Sequence, residues 1–187
     1  MDWMRFDGAL FRCLNDLEIV KAQRTAHIEL RRVLPESRSI HSGFPGIVNA
    51  ALTFATQGAL ALILEKNTTK GRSGFWWLHN TASKQISEYM PEETVINFLE
   101  QVTSDLMTLR NNTLFHISET TVKNPGALRR ESNLTYAKLD QAIFVALETL
   151  RQTLVLRQAS MTWTQGTRNV STLEYDGSDI AELFRAI

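Results

Sequence analysis

Apolar residues recur every three to four positions in four long segments of this 187-residue chain. That spacing is the period of an amphipathic α-helix, whose apolar side must be buried against other helices. The segments cover residues 3–34, 45–66, 91 to about 110–112, and 135–158. Four such segments joined by loops rich in turn-forming residues predict an all-α fold, an up-and-down bundle of about four long helices.

The first and last of these segments have the most regular apolar stripes. Pro35 ends the first segment, because the residue before a proline is disfavoured in the helical region. The expected core positions of the two helices are Trp3, Phe6, Leu10, Cys13, Leu14, Leu17, Val20, Leu139, Ile143, Leu147, Leu150 and Leu154.

The second segment contains many small residues, which allow close approach between helices and predict a central position in the bundle. Its apolar stripe is interpreted as Ile47, Ala51, Leu52, Ala55, Leu62 and Leu64. In the third segment, Pro91 suits the first turn of a helix and the two glutamates after it suit its positive end. The stripe of that helix is Val95, Phe98, Leu99, Val102, Leu106 and Leu109.

Three further stretches complete the chain. Residues 75–90 carry aromatic side chains and are compatible with a short helix that packs on the bundle. Residues 161–177 alternate polar and apolar side chains and predict a small hairpin, and residues 179–187 predict a short closing helix. We therefore expect one domain over residues 1–187, with a bundle core at about 3–158 and an appendage at about 159–187.

Composition limits the function classes. Lys plus Arg and Asp plus Glu both total 20, so the overall charge gives no argument for nucleic-acid binding, which would need a local basic patch. The single cysteine, Cys13, excludes an internal disulfide and a multi-thiolate metal site, and no cofactor motif is present. The N-terminus does not resemble a secretory signal, and the apolar stretch near residues 58–64 is too short for a bilayer. We expect a cytoplasmic protein with no membrane and no cofactor.

The residues most suited to chemistry lie where the third helix is expected to end: Arg110, Asn111 and His116. An arginine presents a planar fork of donors that suits phosphate, and a histidine exchanges a proton near neutral pH. Beside a phosphodiester, His116 could deprotonate the ribose 2′-hydroxyl or protonate the leaving oxygen. Arg110 could stabilise charge on phosphorus while Asn111 orients the phosphate or the imidazole. Near a phosphodiester, these residue types would suffice for RNA cleavage without a metal.

An arginine followed directly by a polar residue, with a histidine after four to six intervening residues, at a helix end in a helical bundle, resembles the motif of the HEPN superfamily. Here the motif is Arg110-Asn111 followed by His116, and it looks most like the abortive-infection branch of that superfamily. The resemblance implies a homodimer in which two Arg/His motifs form one metal-independent ribonuclease site. It also implies a toxin or abortive-infection effector, for which an antitoxin protein is a natural partner.

A second interpretation of the residues at the end of the third helix remains open. Arg110, Asn111 and His116 could simply finish the helix by satisfying its last carbonyl groups and complementing the negative end of its dipole. The chain would then be a non-catalytic dimeric helical module that binds a partner protein or a nucleotide.

Arg72 and His79 also fit the loose spacing of the motif, but they fall in a glycine-rich loop. His27 and His41 are interpreted as structural or surface residues, and Trp76 and Trp77 as packing residues. Basic residues in loops that could contact RNA phosphates are Lys70, Arg72, Arg129 and Arg130.

Overall fold

A computed structural model of the chain describes residues 2–34, 43–66, 73–111 and 133–159. In these residues it contains five helices and no β-strand. The helices are α1 (Trp3–Val33), α2 (Gly43–Ile63), α3 (Phe75–Gln85), α4 (Glu93–Leu109) and α5 (Tyr136–Ala159). The all-α prediction is confirmed, with four long helices and one short one. The expected hairpin at 161–177 and the closing helix at 179–187 lie outside the described residues.

The first and last helices of the bundle run in opposite directions. Asp7 near the start of α1 contacts Arg157 near the end of α5, while Arg24 late in α1 contacts Asp140 early in α5, so these helices are antiparallel. Helix α1 also packs along α2, and α4 packs against α2 and α5. The short helix α3 contacts α1 and α5. The neighbouring helices therefore enclose a single shared core.

The stripes predicted for α1 and α5 form this core. All the expected positions of α1 except Trp3 are buried, as are all those of α5 except Leu154, and these two exceptions are partly buried against the cluster. Four of the six positions expected in α4 are also buried, namely Leu99, Val102, Leu106 and Leu109. These helices have polar residues on their outer sides, and the contrast sets which side turns inward.

The stripe assigned to α2 is wrong in part: Leu64 is buried as expected, but Ala51 is exposed and Leu52 and Ala55 are only half-buried. Ile47 and Leu62 are 69% and 51% exposed, whereas Asn49, Thr56 and Leu60 are buried. The physical reason is that α2 is apolar or small on nearly every side, so its sequence has no polar face to mark the outside. Its apolar stretch is also longer than expected.

By length and composition, Gly43–Ile63 could cross a membrane, with a mean hydropathy of 1.5 over its most apolar window. This corrects the expectation that no apolar stretch is long enough. The criterion is weak, because core helices of soluble proteins also satisfy it. Here, however, only 22% of that window is buried, so much of the apolar surface of α2 is not covered by the bundle.

Candidate active site at the end of α4

Arg110 lies directly after α4, where the buried side chains of Leu106 and Leu109 fix the end of the helix on the core. Its backbone remains helical, and its N–H donates to the carbonyl groups of Leu106 and Met107. The next residue, Asn111, is exposed. The prediction that Arg110 and Asn111 lie at the end of the third long helix is therefore confirmed.

The Arg110 guanidinium forms an ion pair with Glu65, with Nη1 2.6 Å from the carboxylate Oε1. Glu65 is two residues beyond the end of α2, and the fully buried Leu64 before it anchors this stretch of chain. The two charged side chains are 20% and 23% exposed, so solvent and small ligands reach the edge of the pair. The ion pair joins the ends of α2 and α4 and neutralises the charge of Arg110 locally.

A second ion pair lies beside the first. Lys66 Nζ is 2.5 Å from Glu100 Oε1, and the same ammonium lies 4.9 Å from the centre of the Trp76 ring. The Trp76 indole N–H donates to the Leu64 carbonyl at 2.8 Å. Trp76 is buried, which confirms its interpretation as a packing residue and leaves no free ring face for a base. The Trp76 side chain instead stabilises the short segment after α2 that carries Glu65.

The structure places two of the predicted site residues, Arg110 and Asn111, next to each other at one end of the bundle. It adds Glu65, which no sequence pattern could select, because its partner Arg110 is 45 residues away in the chain. The other predicted site residues lie outside the described part of the chain: His116, Lys70, Arg72, Arg129 and Arg130.

The placement of His79 in a glycine-rich loop is wrong. It lies inside α3, where its Nδ1 hydrogen-bonds with the Tyr89 hydroxyl at 2.9 Å and its ring stacks on Phe75. Burial lowers the pKa of His79 below its ordinary value. This helix is the short one expected within residues 75–90, and it includes His79. His79 therefore has a structural environment in the helical core.

A separate Arg–His cluster is buried between α1, α2 and α5. Arg24 contacts both carboxylate oxygens of Asp140, at 2.5 and 3.0 Å, and its Nη1 lies 3.1 Å from His27 Nδ1. Because a guanidinium can only donate, Nδ1 must accept, so the ring proton is on Nε2 and is donated to Asn49 Oδ1 at 2.8 Å. His27 is thus a neutral, fully hydrogen-bonded ring, in agreement with its structural interpretation.

Stability is expected to fall in mild acid because of His27. Burial, and secondarily the Arg24 charge, lowers the pKa of His27 below 6.5. Below about pH 6.5 the unfolded chain therefore binds a proton that the folded chain resists, and the free energy of unfolding decreases as the pH falls. Urea denaturation at about pH 7.5 and about pH 5.5 measures this effect.

His27→Gln is the control for that measurement. It should reduce the acid sensitivity without abolishing it, because His79 also has a lowered pKa and acts in the same direction. A native protein that is equally stable at both pH values would contradict the assignment of a neutral His27.

Comparisons with families of known proteins, with curated proteins and with solved structures found no match. The HEPN resemblance therefore rests on the motif and the helical fold alone. Among the residues that the structure describes, no three His, Cys, Asp or Glu side chains form a group that could hold a metal ion. What the described site offers is a partly exposed arginine paired with a partly exposed carboxylate.

Proposed function

We propose that this chain is a HEPN-like, metal-independent endoribonuclease that acts as a homodimer, in the role of a toxin or abortive-infection effector. His116 exchanges the proton of the ribose 2′-hydroxyl or of the leaving oxygen, and Arg110 stabilises the charge on phosphorus. Asn111 orients the phosphate. Since the nucleophile is the ribose itself, the products carry a 2′,3′-cyclic phosphate and a 5′-hydroxyl.

The observation that carries this proposal is the position of Arg110. It lies at the end of a core helix, 20% exposed and next to the exposed Asn111, so its guanidinium is held in place and reachable from solvent. A carboxylate and a phosphate offer a guanidinium similar pairs of oxygen atoms. Glu65 therefore occupies the place that a phosphate would take, and RNA binding exchanges one anion for the other.

Further contacts would come from the loops. Lys70, Arg72, Arg129 and Arg130 are proposed to bind neighbouring phosphates of the RNA. An antitoxin protein would neutralise the enzyme by covering the same basic surface. The reaction needs no cofactor in this proposal.

Replacing Glu65 by Gln is expected to tighten RNA binding about three- to fivefold. The change removes the anion that competes with phosphate while keeping the size of the side chain, and an ion pair with this exposure is worth up to about 1 kcal/mol. Fluorescence anisotropy with a labelled RNA in EDTA measures the affinity.

Glu100→Gln is the matched control, since it neutralises the adjacent glutamate that pairs with Lys66 instead of Arg110. Tighter binding by Glu65→Gln than by Glu100→Gln supports a phosphate site at Arg110. Unchanged RNA affinity together with a lower melting temperature would contradict it and make the Arg110–Glu65 pair a structural tie.

The second candidate function is a non-catalytic dimeric helical module that binds a partner protein or a nucleotide. The pairing of Arg110 with Glu65 favours it, because a neutralised arginine can serve to join two helices. The two candidates differ in one observable: the module leaves RNA intact under conditions in which the enzyme cleaves it.

A further inference from the structure

One side of α2 is an exposed apolar surface, which we call the α2 face. Its large side chains are Phe44, Ile47, Phe54 and Leu62, which are 57%, 69%, 53% and 51% exposed. Together with the exposed Ala51 they follow the three- and four-residue spacing of one helical stripe. The stripe extends along nearly the whole of α2.

The α2 face differs from the other exposed apolar residues of the described chain. Those with the largest exposure, such as Met4, Met90 and Phe144, are on different elements and do not form a stripe. By contrast, residues 43–64 contain no Asp, Glu, Lys or Arg at all. The largest contiguous apolar patch on a protein surface is often functional, and patches larger than a few hundred Å² mark interaction sites.

The chemistry of the α2 face limits which kind of molecule can bind to it. Nucleic acid requires cations, and α2 has none. Helices that lie on membranes carry Lys or Arg on the polar side, which α2 also lacks. A spanning α2 would draw α1 into the bilayer, because α1 packs along it and contains many charged residues. An uncharged helix face fits another uncharged helix face.

We propose that the α2 face is covered by the α2 face of a second copy of this chain. A phenylalanine side chain has roughly 150–250 Å² of surface. The two phenylalanines, together with the somewhat smaller Ile47 and Leu62, are each at least half exposed and present roughly 400 Å². With the alanines and backbone between them, two copies bury roughly 1,000 Å², which is the lower limit for a specific interface. The formal net charge of zero adds no long-range repulsion between copies.

Gly58 occupies the position of the stripe between Phe54 and Leu62. It is buried, so the exposed stripe is interrupted there. A Cβ built on it would meet no atom within 4 Å, so a small side chain would fit at this position.

The two α2 helices run parallel in the dimer, an orientation that rests on the proposed function. The α2 face ends at Leu62, three residues before Glu65, so a parallel pair brings both Glu65–Arg110 pairs to the same end of the interface. An antiparallel pair centred on the face would separate the two Glu65 residues by roughly 36 Å along the helix axis. Only the parallel pair permits a site built from both Arg/His motifs.

Sedimentation of Phe54→Asp tests the interface without RNA. The native protein should be a dimer, and a charge buried without a partner should weaken the dimer by at least about 100-fold. Phe144→Asp is the matched control, since it replaces a phenylalanine that is 68% exposed on α5, and it should remain dimeric. Circular dichroism checks that both variants keep their helices.

Disulfide cross-linking of Ile47→Cys tests the orientation. In a parallel pair the two introduced cysteines face each other, whereas in an antiparallel pair they are roughly 18 Å apart, beyond the reach of a disulfide. The native Cys13 should not interfere, because it is buried and burial raises its pKa to about 12. Cross-linking of Ile47→Cys, but not of Phe144→Cys, is the expected result.

A native protein that is monomeric, or a Phe54→Asp variant as dimeric as the native protein, would overturn the proposal. So would a monomer that floats with lipid vesicles and loses this behaviour in Phe54→Asp, since the occupant would then be a membrane. A dimer without Ile47→Cys cross-linking would overturn the parallel arrangement. None of these results depends on whether the protein cleaves RNA.

Discussion

Replacing His116 by alanine is expected to reduce metal-free RNA cleavage at least about 100-fold. Proton transfer by a positioned side chain contributes about 10²–10⁴ to a rate, and alanine can neither accept nor donate the proton. The measurement is the initial rate of cleavage of a labelled RNA in EDTA, with the products analysed for 2′,3′-cyclic phosphate ends.

His41→Ala is the control for that prediction. It removes another histidine that lies outside the motif and should cleave at the native rate. Circular dichroism of both variants should match that of the native protein. If His116→Ala retained full activity, the catalytic role of His116 would be refuted, and a contaminating nuclease would be the next explanation to test.

The largest effect on stability is expected for Arg24→Ala, at about 2–4 kcal/mol. The guanidinium is 11% exposed and binds Asp140 through two atoms, and it also donates to His27. Its removal leaves buried acceptors without a donor, which costs more than the loss of a surface pair. Asp140 is 41% exposed and can turn to water, which keeps the estimate below the upper end for fully buried pairs.

Urea denaturation of the Arg24→Ala and Arg12→Ala variants compares the loss of a buried ion pair with the loss of an exposed one. Arg12 is also on α1 and also has an aspartate partner, but its side chain is 83% exposed and the pair is 3.7 Å apart. Arg12→Ala should therefore cost less than about 1 kcal/mol. Equal losses for the two variants would show that the buried cluster adds nothing to stability.

Most of the fold follows from periodicity where polar and apolar sides contrast. Helices α1 and α5 carry charged residues opposite their leucines, so the buried side could be predicted. Helix α2 could not be oriented in the same way, because it has no charged residue and small side chains can face either the core or a partner. The error at Ile47 and Leu62 is therefore informative, since it identifies the apolar surface that the bundle leaves uncovered.

The candidate site was predictable only in its local part. The spacing of the apolar stripe predicts that α4 ends near Arg110, and the structure agrees. The partner of Arg110 depends on how the ends of α2 and α4 meet, which no local pattern contains. The same limit applies to the buried cluster, where Arg24 and Asp140 are 116 residues apart in the sequence.

The buried cluster also explains why an arginine and a histidine close together in sequence need not form a catalytic site. Arg24 and His27 are neighbours on one turn of α1, yet their hydrogen bonds are directed to Asp140 and Asn49 inside the bundle. Arg110 is partly exposed at a helix end next to an exposed polar residue. Accessibility distinguishes the two, and it favours Arg110 for phosphate binding.

Cleavage of mixed RNA in EDTA by the native protein and by His116→Ala tests the central proposal most directly. We expect the native protein to cleave RNA in the presence of the chelator and the variant to be inactive while remaining folded and dimeric. Intact RNA after incubation with folded, dimeric native protein would contradict the ribonuclease proposal and favour the helical binding module.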